Sequence, residues 1–387
     1  MKYKIKYSYQ TIILFLLWTS GMLKIFITTY LVQVDIVLIA LSLACIDIGF
    51  NGFVRARLPD VSYVAGLITI LIFYVYLVLS LLYTPSEEYA FVKALNFGPN
   101  LIFFLYAGFI KKIDFKLLVK LYSIVVIPVA IFFIYMKSMV WWGVDSGATR
   151  VFMEIRNHYL SVGTHLGILF FLCFYHYRKT WLLILTMFLL FASSARGALL
   201  FTVLVFLIFE ITVIKKITIK KKRLLTGTFI ICATLLFGFI YRDNVYRLTA
   251  NTLNRLLVLF EGEGSSTRER IEGMSFAFNE TISSFPAFLR GHGIGSFGIN
   301  YLNQDTKLYP HNLFLEVFYE LGIMGVVIIF AFLAQGFLKA IKGHKTIVIL
   351  LSFCFFNAMK SSNLTDLWIL FGILGLALNQ RKIRIND

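Results

Sequence analysis

Apolar runs of about twenty residues recur from one end of this chain to the other, and a run of that length is what a helix needs to cross the hydrocarbon of a bilayer. Candidate spans are 10–32, 34–53, 61–83, 90–110, 116–137, 158–176, 180–195, 197–214, 224–241, 312–338, 346–359 and 363–379. Composition agrees: 59% of the residues are hydrophobic and only 15% are charged, too few charges for the surface of a water-soluble domain. The pattern predicts an all-α fold, a polytopic membrane helical bundle of about twelve transmembrane helices. Spans 180–195 and 346–359 are short, and each is followed closely by another span, as in a tight helical hairpin. Met1-Lys2-Tyr3-Lys4-Ile5-Lys6 opens like a signal peptide, but the apolar run continues past Lys24 to Val32 with no A-x-A-like cleavage pattern. It reads as an uncleaved first helix.

Orientation follows from charge. The net charge of +17 would suggest nucleic acid in a soluble protein, but cytoplasmic loops of membrane proteins are enriched in Lys and Arg. With the N-terminus inside, the inner loops carry Arg55 and Arg57, Lys111 and Lys112, Arg178 and Lys179, the run Lys215 to Arg223, then Lys339, Lys342 and Lys345, with Arg381, Lys382 and Arg384 in the tail. Both termini are then cytoplasmic, and no nucleic-acid partner is implied. Pro85-Ser86-Glu87-Glu88 is an acidic outer loop. On the outer side arginine outnumbers lysine. Guanidinium is a planar fork that grips phosphate or carboxylate, whereas ammonium is a point charge, so the outer face reads as built to hold an anion. Anchoring at lipid headgroups is the competing reading. Cys45, Cys173, Cys232 and Cys354 lie in or beside separate apolar runs, which fits small buried residues and neither a disulfide framework nor a metal site.

The long extracytoplasmic loop, 242–311, has structure of its own. Ser266-Thr267-Arg268-Glu269 matches the S-x-x-E capping box. Ile271, Met274, Phe278, Ile282 and Phe285 follow at helical spacing, and Pro286 is expected to stop that helix. Val245, Leu248, Thr252, Leu256 and Leu257 suggest an earlier amphipathic stretch. Such helices lie on the membrane surface or against the bundle. No internal repeat is evident.

Candidate site residues gather on this outer side. Arg196 stands between two apolar runs in Ser193-Ser194-Ala195-Arg196-Gly197-Ala198, where a charge needs water, a partner or a ligand; it could instead only mark a turn. Arg268 and Arg270 fall at a predicted helix start, where free N–H groups favour an anion, unless they are solvated charges balanced by Glu269 and Glu272. Arg290 precedes Gly291-His292-Gly293-Ile294-Gly295-Ser296-Phe297-Gly298. That stretch contains a formal G-x-G-x-x-G but no βαβ context, so it reads as a turn whose backbone can approach a ligand closely. In Pro310-His311-Asn312, Pro310 suits a first helical position. His311 then stands at the outer end of a span, where an imidazole can act as a general base or simply cap the helix. Glu316 and Glu320, at i and i+4, share a face and are expected to pair with the arginines or orient His311. Asp366 is a weaker counterpart, while Asp47 and Glu210 read as structural.

Ser194-Ala195-Arg196-Gly197 opening a helix, the Arg268/Arg270 helix, Gly293-Ile294-Gly295-Ser296-Phe297, and His311-Asn312 followed by Gly322 and Gly325 together resemble the O-antigen ligase and polymerase family of bacterial membrane proteins. The resemblance in detail covers about 190–335; the first 180 residues match only as hydropathy. It divides the chain into N-terminal helices (1–180), a ligase/polymerase-like core that includes loop 242–311 (181–338), and C-terminal helices (339–387), in a GT-C-like bundle. It implies glycosyl transfer on the outer face of the bacterial inner membrane, with inversion and with no metal or nucleotide cofactor. The donor implied is a glycan on undecaprenyl diphosphate. The acceptor is a lipid-linked repeat unit for a polymerase or lipid A-core for a ligase, and a chain-length regulator is a conceivable protein partner. In the roles implied, His311 is the base and Arg196, Arg268 and Arg270 hold the diphosphate, with Asn312, Glu316, Glu320 and Arg290 in support. Of the two loop arginines the resemblance favours Arg270, which is followed by an aliphatic residue. A flippase for lipid-linked glycans predicts instead charged residues along a midplane pathway, and a mere scaffold leaves the outer arginines without a task.

Overall fold

The computed structural model describes residues 8–30, 34–55, 60–141, 159–177, 179–211, 265–361, 363–379 and 384–386. Helices dominate. In chain order they are α1 (Ser8–Tyr30), α2 (Ile36–Arg55), α3 (Val61–Leu79), α4 (Tyr89–Phe109), α5 (Phe115–Trp141), α6 (Tyr159–Leu172), α7 (Thr180–Ala192), α8 (Arg196–Ile211), α9 (Ser265–Ile282), α10 (Phe285–Arg290), α11 (Phe297–Leu302), α12 (Leu313–Ile341), α13 (Lys345–Ser361) and α14 (Trp368–Leu378). They fall on eleven of the twelve expected spans; the remaining one, 224–241, lies outside the described residues, as do the stretch 245–257 and Cys232. Among the described residues five helices are long and apolar enough to cross a membrane, at 61–82, 89–109, 115–136, 159–177 and 313–341. The chain is an integral membrane protein. One feature departs from an all-helical reading: β1 (Lys112–Asp114) pairs in parallel with β2 (Arg384–Asn386), Lys112 opposite Arg384.

The chain forms two units. In the first (1–40, 112–261 and 384–387), α6 packs on α5, α7 and α8, and α1 packs on α5. Rings of Phe15 and Trp18 meet Tyr122 edge-on. Gly163 lets α6 lie directly on Ala195 and Ala198, close packing of the kind small residues permit in a membrane. Glu210 is buried and accepts a 2.7 Å hydrogen bond from Tyr175, in line with a structural role.

The second unit (41–111 and 262–383) packs α4 on α14 and α12 on α3, α13 and α14. Gly66 faces Leu378, Gly336 faces Leu374 and Gly375 faces Ala107. Side chains also bond to neighbouring backbones: the Tyr63 hydroxyl donates to the Phe104 carbonyl (3.1 Å) and the Asn379 amide to the Gly108 carbonyl (2.8 Å). The outward side of α3 leaves Ile68, Ile72, Val75 and Leu79 exposed, a face suited to lipid.

Helix α12 is broken at Gly322, whose φ of 63° and ψ of −166° are not helical. A break strands carbonyls that would otherwise serve amides one turn on. Here the Tyr319 and Glu320 carbonyls accept from the His292 and Gly293 amides, both at 2.9 Å, and the Leu321 carbonyl accepts from the Tyr76 hydroxyl at 3.1 Å. Gly291 (φ 73°) packs its Cα on the Glu320 carbonyl, and Gly322 packs on the backbone of Leu289 and Arg290. Two glycines thus let two backbones cross in contact.

Candidate functional site

His311 immediately precedes Asn312, which caps α12: the Asn312 side chain accepts from the Leu315 amide (3.1 Å) and donates to the Met359 carbonyl (3.0 Å). The helix therefore begins three residues later than Pro310 predicts. Pro310 lies ahead of the cap, where the Asn312 side chain satisfies the free Leu315 amide. His311 has a φ of 57°, a left-handed conformation that costs a non-glycine residue on the order of 1 kcal/mol or more. Its ring lies 4.5 Å from that of Tyr309. Its Nδ1 is buried and has no hydrogen-bond partner among the described residues. Burial, and then the nearby charge of Arg270, push the imidazole down to about 4, so it is neutral at physiological pH. A neutral imidazole with an uncommitted nitrogen can take a proton. The Tyr309 phenol is raised, first by burial and then by Asp366 and Glu316, with Arg270 opposing.

The two loop arginines separate. Arg268 lies on the open side of α9, 82% exposed, and its Nε donates to Glu272 one turn on at 2.9 Å; it is the solvated pair that the sequence left as an alternative. Arg270 is half-buried and acts electrostatically on both His311 and Tyr309. Helix α9 starts at Ser265, and the side chains of Ser266 and Thr267 lie outside the described residues. It ends at Ile282 and not at Pro286. Pro286 instead sits in the first turn of α10, capped by the Ser284 side chain, where a missing N–H costs nothing.

Glu316 and Glu320 do not pair with the arginines. They hold Lys93 of α4, whose Nζ lies 2.5 Å from Glu316 Oε1 and 2.6 Å from Glu320 Oε1, with all three side chains 0% exposed. The second Glu316 oxygen accepts from the Leu364 amide at 2.9 Å. The Lys93 ammonium also stands 5.9 Å from the centre of the Tyr89 ring, and the Asn363 amide donates to the Tyr89 hydroxyl at 3.2 Å. Lys93 and Tyr309 are the residues that sequence reasoning passed over. Lys93 had a usable signal, a lone ammonium inside an apolar span; Tyr309 had none beyond its adjacency to Pro310-His311. Asp366 pairs with Lys307 at 3.0 Å on the surface.

The glycine-rich segment is not a ligand loop. Gly291, Gly293 and Gly295 have positive φ and lie against the backbones of Glu320, Thr84 and Ala90, and the residues 293–298 are buried. The close approach is to protein. Thr84 Oγ1 donates to the Ile294 carbonyl (2.7 Å), and the Ile294 amide donates to Ser80 Oγ (3.1 Å). Nearby, Asp305 accepts from Ser86 Oγ (2.6 Å) and from the Glu87 and Glu88 amides (3.1 and 2.9 Å), an anion at the start of α4. Arg290 stacks on Tyr83, its guanidinium carbon 4.8 Å from the ring centre, while the Tyr83 hydroxyl donates to the Arg290 carbonyl at 2.8 Å.

Arg196 belongs to the first unit, and His311, Arg270 and Lys93 to the second. Arg196 is the first residue of α8 and follows Ser194, which has a left-handed φ of 61°. The expected hairpin is therefore made, with Ser193–Ala195 as its turn and the guanidinium at a helix N-terminus.

No curated protein matches the chain. Residues 181–330 match a family model described as O-antigen ligase, a range that holds Arg196, Arg268, Arg270, Arg290, His311, Asn312, Glu316 and Glu320 but not Lys93. The segment 181–330 is thus similar to the O-antigen ligase family.

Proposed function

We propose that this protein polymerises lipid-linked oligosaccharide repeat units, moving a glycan from undecaprenyl diphosphate onto the hydroxyl of the next unit at the outer face of the bacterial inner membrane. The family match supports surface-glycan assembly. The observation that carries the reading is the neutral, uncommitted imidazole of His311 beside Arg270. In the step proposed, the acceptor oxygen attacks the anomeric carbon as the carbon–oxygen bond to the diphosphate breaks, with inversion. The hydroxyl proton passes to His311. The electron pair leaves with the lipid diphosphate, whose growing negative charge is met by Arg270. Arg268, already engaged with Glu272, has a lesser part. No metal or nucleotide enters this scheme.

The family description names a ligase, and this keeps a second reading beside the first, in which the acceptor is lipid A-core. Deleting the gene separates the two. Loss of a polymerase leaves single repeat units attached to lipid A-core; loss of a ligase leaves none. The shared chemistry is tested by His311→Ala, expected to lower transfer by about 10²–10⁴-fold, the usual contribution of a general base. Unchanged product length and attachment in that variant would remove His311 from the reaction. Reporter fusions placing residues 265–311 in the cytosol would remove the whole scheme.

A further inference from the structure

We infer that Lys93, through its grip on Glu316 and Glu320, is a positioning residue that sets where His311 stands; the inference rests on the proposed role of His311. Three ionisable side chains with no solvent exposure are a poor way to gain stability. Replacing a buried ion network by neutral groups of similar volume is often neutral or stabilising, and the best-attested use of such a network is to fix register. The register in question is that of a short piece of helix. Residues 313–321 are cut off from the rest of α12 by the break at Gly322, so the long membrane-spanning part cannot by itself hold the end that carries Asn312 and His311. Glu316 and Glu320 lie on one face of that piece, on its first and second turns. Lys93 lies one turn into α4, whose own start is fixed by Asp305. The Leu364 amide on Glu316 and the Asn363–Tyr89 bond tie a third element to the same network.

Bonds to its backbone hold this piece at its inner end, at Tyr319, Glu320 and Leu321, and Asn312 bonds Met359 at its outer end; between them, apolar contacts are non-directional and tolerate sliding, whereas two short bonds from one ammonium do not. A slip of one residue moves a helix by about 1.5 Å, and a displacement of about 1 Å at a reacting group can cost on the order of 10²-fold in rate. Arg270, which binds the donor diphosphate in the proposed scheme, lies on another element, so such a slip spares binding and slows the chemistry.

The test uses the full chain in nanodiscs, with undecaprenyl-diphosphate-linked repeat units extracted from the source strain as donor and acceptor. The triple substitution Lys93→Met, Glu316→Gln and Glu320→Gln removes the charges while keeping the volume. We expect its thermal transition to stay close to that of the unsubstituted protein, kcat to fall at least about tenfold and KM to change less than about twofold. A second readout needs no turnover: the rate at which diethyl pyrocarbonate modifies His311, followed by peptide mass spectrometry, should change by about threefold or more, with His344 as the internal reference. Full recovery of both kcat and the His311 labelling rate in the triple variant would show that the network only fills the core. Should the triple variant fail to accumulate, Glu320→Gln, which keeps shape and an acceptor for Lys93, is judged on the same two readouts. His311→Ala run alongside separates the two ideas. If it is inactive while the triple variant is fully active, only the positioning inference falls. If it is active, the proposed role of His311 falls, and labelling alone decides what Lys93 holds in place.

Discussion

Replacing Gly322 by alanine tests whether the crossing of two backbones is what shapes the outer end of α12. Its φ of 63° and ψ of −166° lie in a region that only glycine occupies readily, and an L side chain there costs on the order of 1–3 kcal/mol. The added Cβ would meet the Leu289 carbonyl and stand 2.6 Å from the Arg290 amide nitrogen. Both are backbone atoms of a segment already bonded to Tyr319 and Glu320, so relief requires parting the crossing and stranding buried carbonyls at a further 1–3 kcal/mol. The sum, about 3 kcal/mol or more, is large against the 5–15 kcal/mol by which folded proteins are typically stable. Gly49→Ala is the control. A Cβ there meets nothing within 4 Å, and a mid-helix glycine replaced by alanine gains about 0.5–1 kcal/mol. The assay is thermal stability of a fluorescent fusion by size exclusion in detergent. Gly322→Ala should melt several degrees below the unsubstituted protein and Gly49→Ala at or slightly above it. Equal melting of the two variants would refute the account of the crossing.

Two further outcomes follow from the electrostatics. Arg270→Ala should lower transfer by about 10²-fold, the cost of losing one preorganised cation; Arg268→Ala, which removes an exposed pair, should change it less than about threefold, and the reverse order in a membrane transfer assay would reassign the diphosphate contact. Because burial and Arg270 hold His311 down to about 4, against an ordinary value of about 6.5, the acid limb of kcat/KM should lie well below pH 6 and move upward in Arg270→Gln. Stability has the same sign: between those two values the unfolded chain binds the extra proton, so the contribution of His311 is present above about 6.5 and lost as pH falls toward 4. A pH profile with its acid limb at or above the ordinary histidine value would show that the imidazole is not held neutral.

The sequence by itself determined the solvent of this chain and the kind of element it forms. Length and apolarity of a run are local quantities, and α1 to α8 and α12 to α14 fall where the runs predict. It also singled out Arg196 and His311, because charged or titratable groups stand out against a lipid-soluble background, while Arg270 stood out from Arg268 only through the family resemblance. Partners are another matter, since they depend on which helices meet. Only the tertiary structure brought Arg270 within electrostatic reach of His311 and left Arg268 on the open side of α9 with Glu272, because neighbours two residues apart project from different faces of one helix. Only it gave Glu316 and Glu320 to Lys93, 223 and 227 residues away. The glycines of 291–298 looked like freedom for a ligand and proved to be room for a second backbone, because a missing Cβ records that something comes close without saying what.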